Sequence, residues 1–579
     1  MNRTLHSAMV FLLCAALAAP VTARKPAKPA PVAPIPQITE DQKLEQVLNR
    51  MTFGPRPGDL ERIRQIGPKA YIQQQLHPES IPENLALEAK LAPLETLRML
   101  PSEMVVKYPP AQQIRAMAKG NLPYPTDPET LRVVQRFIDR YKAKLAQGKP
   151  EDAEKMTDDP APADLQAAAR SLSPTQRQTL QQGTPQEKVA LFESLSANQQ
   201  FDLLEAMPKG KRQALYTVAS PQLRRRIQLL QGGPQQVVNS DLAEGKLFRA
   251  VYSNRQLEEV LTDFWYNHFN VLLDKGADRY MVTTYERDVI RPHVLGNFKD
   301  LLLATAQSPA MLFYLDNAQS VAPGLDRKAN GKKPMRGLNE NYGRELMELH
   351  TLGVDGGYSQ QDVTEVARCF TGWTIKELRQ GGVFQFNERV HDQGEKTVLG
   401  VKIPANGGMN DGLQVLDILV HHPATARFVS KNLAIRFVSD NPPQSLVDRM
   451  AATFTSTEGD LRATMKTMFD SPEFFAPASF QTKVKSPFEM MASALRLTGA
   501  DIDYGFSLIQ QLNTLGEPLY RKVEPTGYSN TGSDWLNSAS LLARMNFAVA
   551  LTNNKVPGTK VEAKADVAQI LGGPNFQKH

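Results

Sequence analysis

The sequence predicts a mainly α-helical protein: a multi-helix bundle-like core, interrupted by a small β-hairpin and by an inserted segment of α-hairpin repeats. Three observations predict this. From about Glu40 onward, apolar residues recur at the three- and four-residue spacing of amphipathic helices, with Gly and Pro at their ends. Between Gly381 and Pro404 the period changes, and VFQFNERV and KTVLGVKI, separated by HDQGE, read as the arms of a hairpin. Residues 111–236 turn to Gln, Ala and Pro and carry a weak repeat of about 23 residues.

Taken in order, residues 1–23 read as a secretory signal. Arg3 supplies the positive start, Ala8 to Ala19 the apolar run, and Val21-Thr22-Ala23 the small-residue cleavage site. The run is short for a membrane span, and Leu13 is the wrong residue before a lipidated Cys14. Cleavage after Ala23 and release to the periplasm or outside the cell are therefore expected, with no transmembrane span in the mature chain. Residues 24–39 form a Pro/Ala/Lys-rich linker. The main helical domain is expected over 40–110 and 237–555, with 111–236 inserted into it and 556–579 as a C-terminal tail.

Only Cys14 and Cys369 are present, so the mature chain forms no internal disulfide and must rest on its apolar core. Cys369 reads as a small core residue. The net charge of +6, from 67 basic and 61 acidic residues, is spread thinly. It excludes the concentrated basic face that nucleic acid requires.

Within 111–236, Ser173-Pro174, Ser196-Ala197 and Ser220-Pro221 open similar helices, and Pro185 and Pro208 open the alternating ones. Each unit leaves an apolar side, Leu191/Phe192/Leu195 or Leu203/Leu204, that stacking would bury. The segment reads as a partner-binding surface or spacer, with Arg224, Arg225 and Arg226 as a solvated face.

Residues 261–374 hold the densest set of chemically useful side chains. A helix over 257–273 places Leu257, Val260, Leu261, Phe264, Val271 and Leu272 on one stripe, with His268 near its middle and Asp263 and Asn267 to one side. A helix over 338–352 does the same with Leu338, Tyr342, Leu346 and Leu349, with Glu345 at the edge and His350 on the border. A buried carboxylate needs a counter-charge, a donor or a metal. His268 and Glu345 are thus expected to share one buried polar cluster, as a structural pair or a catalytic one. The chemistry also permits a divalent metal on His268, Glu345 and His350.

Gly353 suits a helix C-terminus, Asp355-Gly356-Gly357 a turn, and Ser359 with Asp362 a capping box. His391-Asp392 lies at the tip or base of the hairpin and is a weaker catalytic candidate. The loop Glu524-Pro525-Thr526-Gly527-Tyr528 either lines a pocket or is plain surface. No HExxH, GxSxG, phosphate loop, dinucleotide fingerprint or CxxC occurs.

The segments FWYNHF, NENYGRELMELHTLGVDGGYSQQDVTEVARCFTGWT, HDQGEKTVLG, HHPATARFVSKNLAIRFVSD, KVKSPFE and WLNSASLLARMNFA resemble a large bacterial family, domain of unknown function 1800. The resemblance covers roughly residues 41–110 and 240–555. It implies an exported, mostly helical protein with no established activity. It further implies a neighbour, since members are often encoded beside an exported family similar to alkaline phosphatases and sulfatases. The reading favoured by the sequence is a cell-envelope scaffold or partner-binding protein, docking through 111–236. The alternative is an exported enzyme, hydrolase-like or metal-dependent, built on His268 and Glu345.

Overall fold

Helix after helix in the chain opens on a side chain that caps it. The computed structural model describes residues 35–147, 165–325, 337–562 and 566–579; the signal segment lies outside them, as does the linker up to residue 34. The first helix, Glu40–Met51, opens on a Thr39/Gln42 capping box and buries Leu44, Val47, Leu48 and Met51. Burying each such side chain contributes about 1.5–3 kcal/mol. Residues 37–579 form one compact unit, and the fold is mainly α.

Two apolar cores share the work. The larger is built from both sides of the insertion, from Leu44 to Leu97 and from Leu242 to Leu571. The smaller runs from Met104 to Val238 and takes in Tyr280 and Tyr504 from the main body. Inside the insertion, Ser173, Thr184, Ser196 and Ser220 each accept from the backbone of the helix they open. Leu191, Phe192, Leu195, Leu203 and Leu204 are buried in the smaller core.

The three consecutive arginines are not a solvated face. Arg224 is buried, pairs with Asp503 and lies 4.3 Å over the Tyr504 ring. Arg225 reaches both oxygens of buried Asp241 at 3.1 Å, and Arg226 pairs with Glu129 at 2.7 Å. Successive residues on a helix point about 100° apart, so one triplet can staple helix Pro221–Gly232 to three neighbours. A charge run looks solvated in sequence because its partners are distant.

The strand region also differs from the expected single hairpin. VFQF (β2, Val383–Phe386) pairs antiparallel with β1, Trp373–Lys376, and β3, Lys396–Val398, pairs with β4, Val401–Ile403. Two hairpins therefore stand side by side, and HDQGE links them. The first strand was hidden in the end of a helical motif, where Gly372, at φ +82°, turns the chain from helix Gln360–Cys369 into β1. Helices Phe298–Gln307 and Leu461–Phe469 meet at their starts: Phe298 N–H donates to the Gly459 carbonyl at 2.8 Å, and Leu461 N–H to that of Gly296 at 2.9 Å.

Two helix boundaries move, with consequences for the site. The helix expected over 257–273 ends at His268. The one expected over 338–352 is α-helical only from Asn341 to Glu345 and a π-helix from Leu346 to Thr351. The wider turn rotates later residues away from the 100° stripe, so His350, read as a border residue, is buried.

Replacing Arg225 by Met should strand Asp241 and cost about 3 kcal/mol in urea unfolding of the mature chain, at the lower end of broken buried pairs. Burial already holds the Asp241 carboxyl above its usual range. Losing Arg225 raises it further, so the deficit should be full at neutral pH and shrink on acidification as Asp241 takes up a proton. A deficit independent of pH would show that the pair is not its source.

Candidate functional site

His268 closes its helix with its ring among aromatic neighbours: Phe269 at 4.7 Å between centroids, Trp265 at 5.3 Å, Phe428 at 6.1 Å and Phe264 at 6.2 Å. Its Nε2 lies 3.1 Å from the His350 carbonyl. A ring nitrogen facing a carbonyl must donate, so the proton sits on Nε2. Burial pulls the imidazole pKa down to about 4, and the carbonyl restores only part of the loss. At neutral pH the ring is uncharged. Burial likewise holds His350 well below the usual range, with His268 adding to the effect.

Glu345 does not join them. Its carboxyl is pushed up by burial and then by Glu348, with Arg344 opposing. Among the described residues no hydrogen bond or ion pair links it to His268. The expected shared cluster is therefore not formed, because the first helix stops at His268 and presents the ring to a carbonyl. Nor do His268, Glu345 and His350 assemble as metal ligands; among the described residues no group of three or more His, Cys, Asp or Glu side chains is so arranged. Cys369 is buried, and burial pushes its thiol up to about 12.

His391 and Asp392 are buried rather than exposed at a hairpin tip. They do not act as a pair. Neighbours on extended backbone point to opposite sides. His391 Nε2 faces Asp411 at 3.1 Å while Nδ1 faces the Thr371 carbonyl at 2.8 Å. Lys396 Nζ reaches the same Asp411 oxygen at 2.6 Å, and all three side chains are fully enclosed. Asp392 instead takes a two-pronged bond from Arg368, at 2.8 and 3.1 Å. Burial acts to raise its carboxyl, but Arg368 and the Gly394 N–H outweigh it and leave the group below its usual range. This His-Asp-Lys group ties the two hairpins to helix Met409–His421. Nothing in the sequence pointed to Asp411.

Further chemistry lies on the other side of the Gln256–His268 helix, in a narrow cleft of about 50 Å³. Lys246 lines it, pairs with Asp263 at 2.6 Å and sits 4.8 Å from the Tyr520 ring centre. Glu517, buried, accepts from the Phe488 N–H at 2.7 Å. Burial, then Asp263, pushes its carboxyl up to about 8. At the far end stand Arg436, paired with Glu489, and Lys483, paired with Asp440 and donating to the Asn530 carbonyl at 2.8 Å.

The loop that sequence left undecided forms one wall. Asn267 donates to the Tyr528 carbonyl at 2.7 Å and accepts from its N–H at 2.6 Å. Gly527 makes this clamp possible. Its φ is +70°, and a Cβ there would lie 2.2 Å from the Asn267 carbonyl oxygen.

The cleft draws on FWYNHF, KVKSPFE, the Arg436 segment and the turn before the final long helix, so segments far apart in sequence meet there. These are segments that resemble domain of unknown function 1800, and a family model described as "Protein of unknown function (DUF1800)" matches residues 46–578. The chain belongs to the DUF1800 family. The DUF1800 match spans the insertion and extends through the C-terminal tail. No curated protein and no solved structure matches the chain.

Two outcomes follow from this geometry. Because His268 and Glu345 do not touch, His268→Ala and Glu345→Ala should be additive within about 0.5 kcal/mol in a double-mutant cycle read by denaturant unfolding. A larger coupling would mean that the two side chains meet. Glu517 holds a proton in the folded chain between pH 4.5, its ordinary value, and about 8. The unfolded chain releases that proton, so this group's contribution to stability falls as pH rises through the window. Glu517→Gln should therefore match the parent near pH 4.5 and exceed it by on the order of a few kcal/mol at pH 8. Parallel pH profiles would contradict the burial of an uncharged carboxyl.

Proposed function

We propose that this DUF1800 protein is an exported helical scaffold of the bacterial cell envelope that holds a protein partner. The observation that carries this reading is the outer face of helix Ser538–Thr552. Leu541, Leu542, Met545 and Val549 are 41, 60, 53 and 52 % exposed there, and Leu536 just before it is 40 % exposed. Their spacing of three and four residues makes one continuous stripe. Grouped exposed side chains of this size mark interaction surfaces, whereas single ones do not.

The 111–236 array supplies a second surface for the same partner. Its helices have a core of their own, while Leu122, Tyr124 and Leu145 remain 39–45 % exposed. The first partner to test is the exported phosphatase- or sulfatase-like protein that the family resemblance implies. Export rests on the Ala8–Ala19 run and the Val21-Thr22-Ala23 site. Among the described residues no helix is long and apolar enough to cross a membrane.

An enzyme reading has one observation in its favour, and it moves the chemistry away from His268 and Glu345. Glu517, protonated at neutral pH beside Asp263 and Lys246 on the wall of the cleft, is the kind of shifted carboxyl that acid catalysis uses. His268, neutral and bonded to a carbonyl, offers no charge for a substrate.

The test is calorimetry with the purified co-encoded protein. The parent chain should form a complex, and Leu542→Glu with Met545→Glu should weaken it at least a hundredfold, as loss of two central contacts does. Both positions face solvent, so the unfolding midpoint should hold. No complex, or equal binding by parent and variant, would reject the scaffold reading on this face.

A further inference from the structure

We propose that the Arg436–Lys483 end of the cleft binds an oxyanion, the carboxylate, phosphate or sulfate group of a small ligand. The inference rests on a guanidinium that the protein itself leaves incomplete. Arg436 is 5 % exposed and lines the cleft wall. One edge pairs with Glu489, but Nη1 is buried and has no hydrogen-bond partner. A buried donor left unpaired costs about 1–3 kcal/mol, more when it carries charge. Native proteins rarely retain one unless something else completes it.

The surroundings suit a negative group. Lys483, also buried, lines the same end and gives its ammonium to Asp440 and to the Asn530 carbonyl. Ser486 and Ser529 line the same cleft. Behind Arg436 lie further buried bases. Arg50 binds the Val438 and Ser479 carbonyls, and its Nη1 too is unpartnered. Lys485 has Ser493 Oγ at 2.9 Å and the Phe576 ring at 4.0 Å. His579 stands 3.9 Å from Glu489. Burial, then Arg436, draws Arg50 down to about 9, and burial draws Lys485 down to about 7. Both directions are those of bases withdrawn from water.

The opposite end does not compete for the anion. Lys246 is neutralised by Asp263, and Glu517 holds a proton. Between the two ends, the rings of Phe264, Tyr528 and Trp535 line the cleft, with Tyr528 and Trp535 5.9 Å apart. The space of about 50 Å³ restricts the ligand class to a small oxyanion. Planar guanidinium geometry suits both carboxylate and tetrahedral oxyanions, so the two sources are separated by the probes.

The experiment is titration of the mature chain with sodium phosphate, sulfate and acetate at fixed ionic strength, balanced with chloride and read by thermal unfolding and calorimetry. At least one probe should raise the melting temperature saturably above the chloride control. Phosphate or sulfate alone would identify a tetrahedral head, and acetate alone a carboxylate. Arg436→Gln should weaken binding ten- to a hundredfold, the loss of a charge-assisted bond.

Because Arg436→Gln also strands Glu489, a second variant guards against a folding defect. Glu489→Gln keeps the capping box with Ser486 and removes the competing carboxylate, so it should tighten binding about tenfold. No saturable effect from any of the three anions would overturn the proposal. So would an effect that neither variant changes.

Discussion

Three arginines almost sealed from water bind backbone carbonyls far from them in sequence. Arg496 donates to the carbonyls of Gly54 and Val251, at 2.5 and 2.8 Å, and reaches Asp59 at 3.3 Å. Arg50 holds the Val438 and Ser479 carbonyls, and Arg544 holds the Lys485 carbonyl and the Gln577 side-chain oxygen. Each guanidinium thereby joins segments that no local hydrogen bond could connect. Burying these charges is costly, and the carbonyls that receive them offset it at about 1.5–3 kcal/mol per bond. The price shows in Arg50 and Arg496, whose pKa values burial pulls down to about 9.

This constraint explains where the cleft lies. The long helix Pro234–Tyr252, the Pro487–Leu497 helix and the turn after the first helix are drawn together by Arg496. The loop after Lys522 is then pinned across the gap by Asn267 and Asn270. Similar links appear at the smaller core, where Arg224 and Arg225 attach the 111–236 segment to the body. The 111–236 segment thus shares the smaller apolar core with Met104, Tyr108, Val237, Tyr280 and Tyr504 and is joined to the rest by charge pairs as well.

The sequence was most legible where the rule is local. Helix starts at Thr39, Ser173, Ser196, Ser220 and Ser359 follow from the reach of one side chain to a backbone N–H two or three residues on. The apolar repeats of the insertion and the core position of Cys369 follow from spacing and residue type. Reading failed where geometry was not α-helical. The π-turns at Leu346–Thr351 moved His350 inward, and the early end at His268 removed the second half of its stripe. It failed again for β1, whose partner is separated from it by a turn after a helical motif.

What the sequence by itself determined is the fold class, the family and the helix signals, because periodicity and capping act within one or two turns. What only the tertiary structure decided is which charges meet. Asp263, Glu517, Arg436 and Lys483 come from four distant segments, and no spacing relates them. His391 finds Asp411 rather than Asp392 for the same reason: a buried ionic partner is chosen by the packing of whole elements, and packing is not a property of neighbours in the chain.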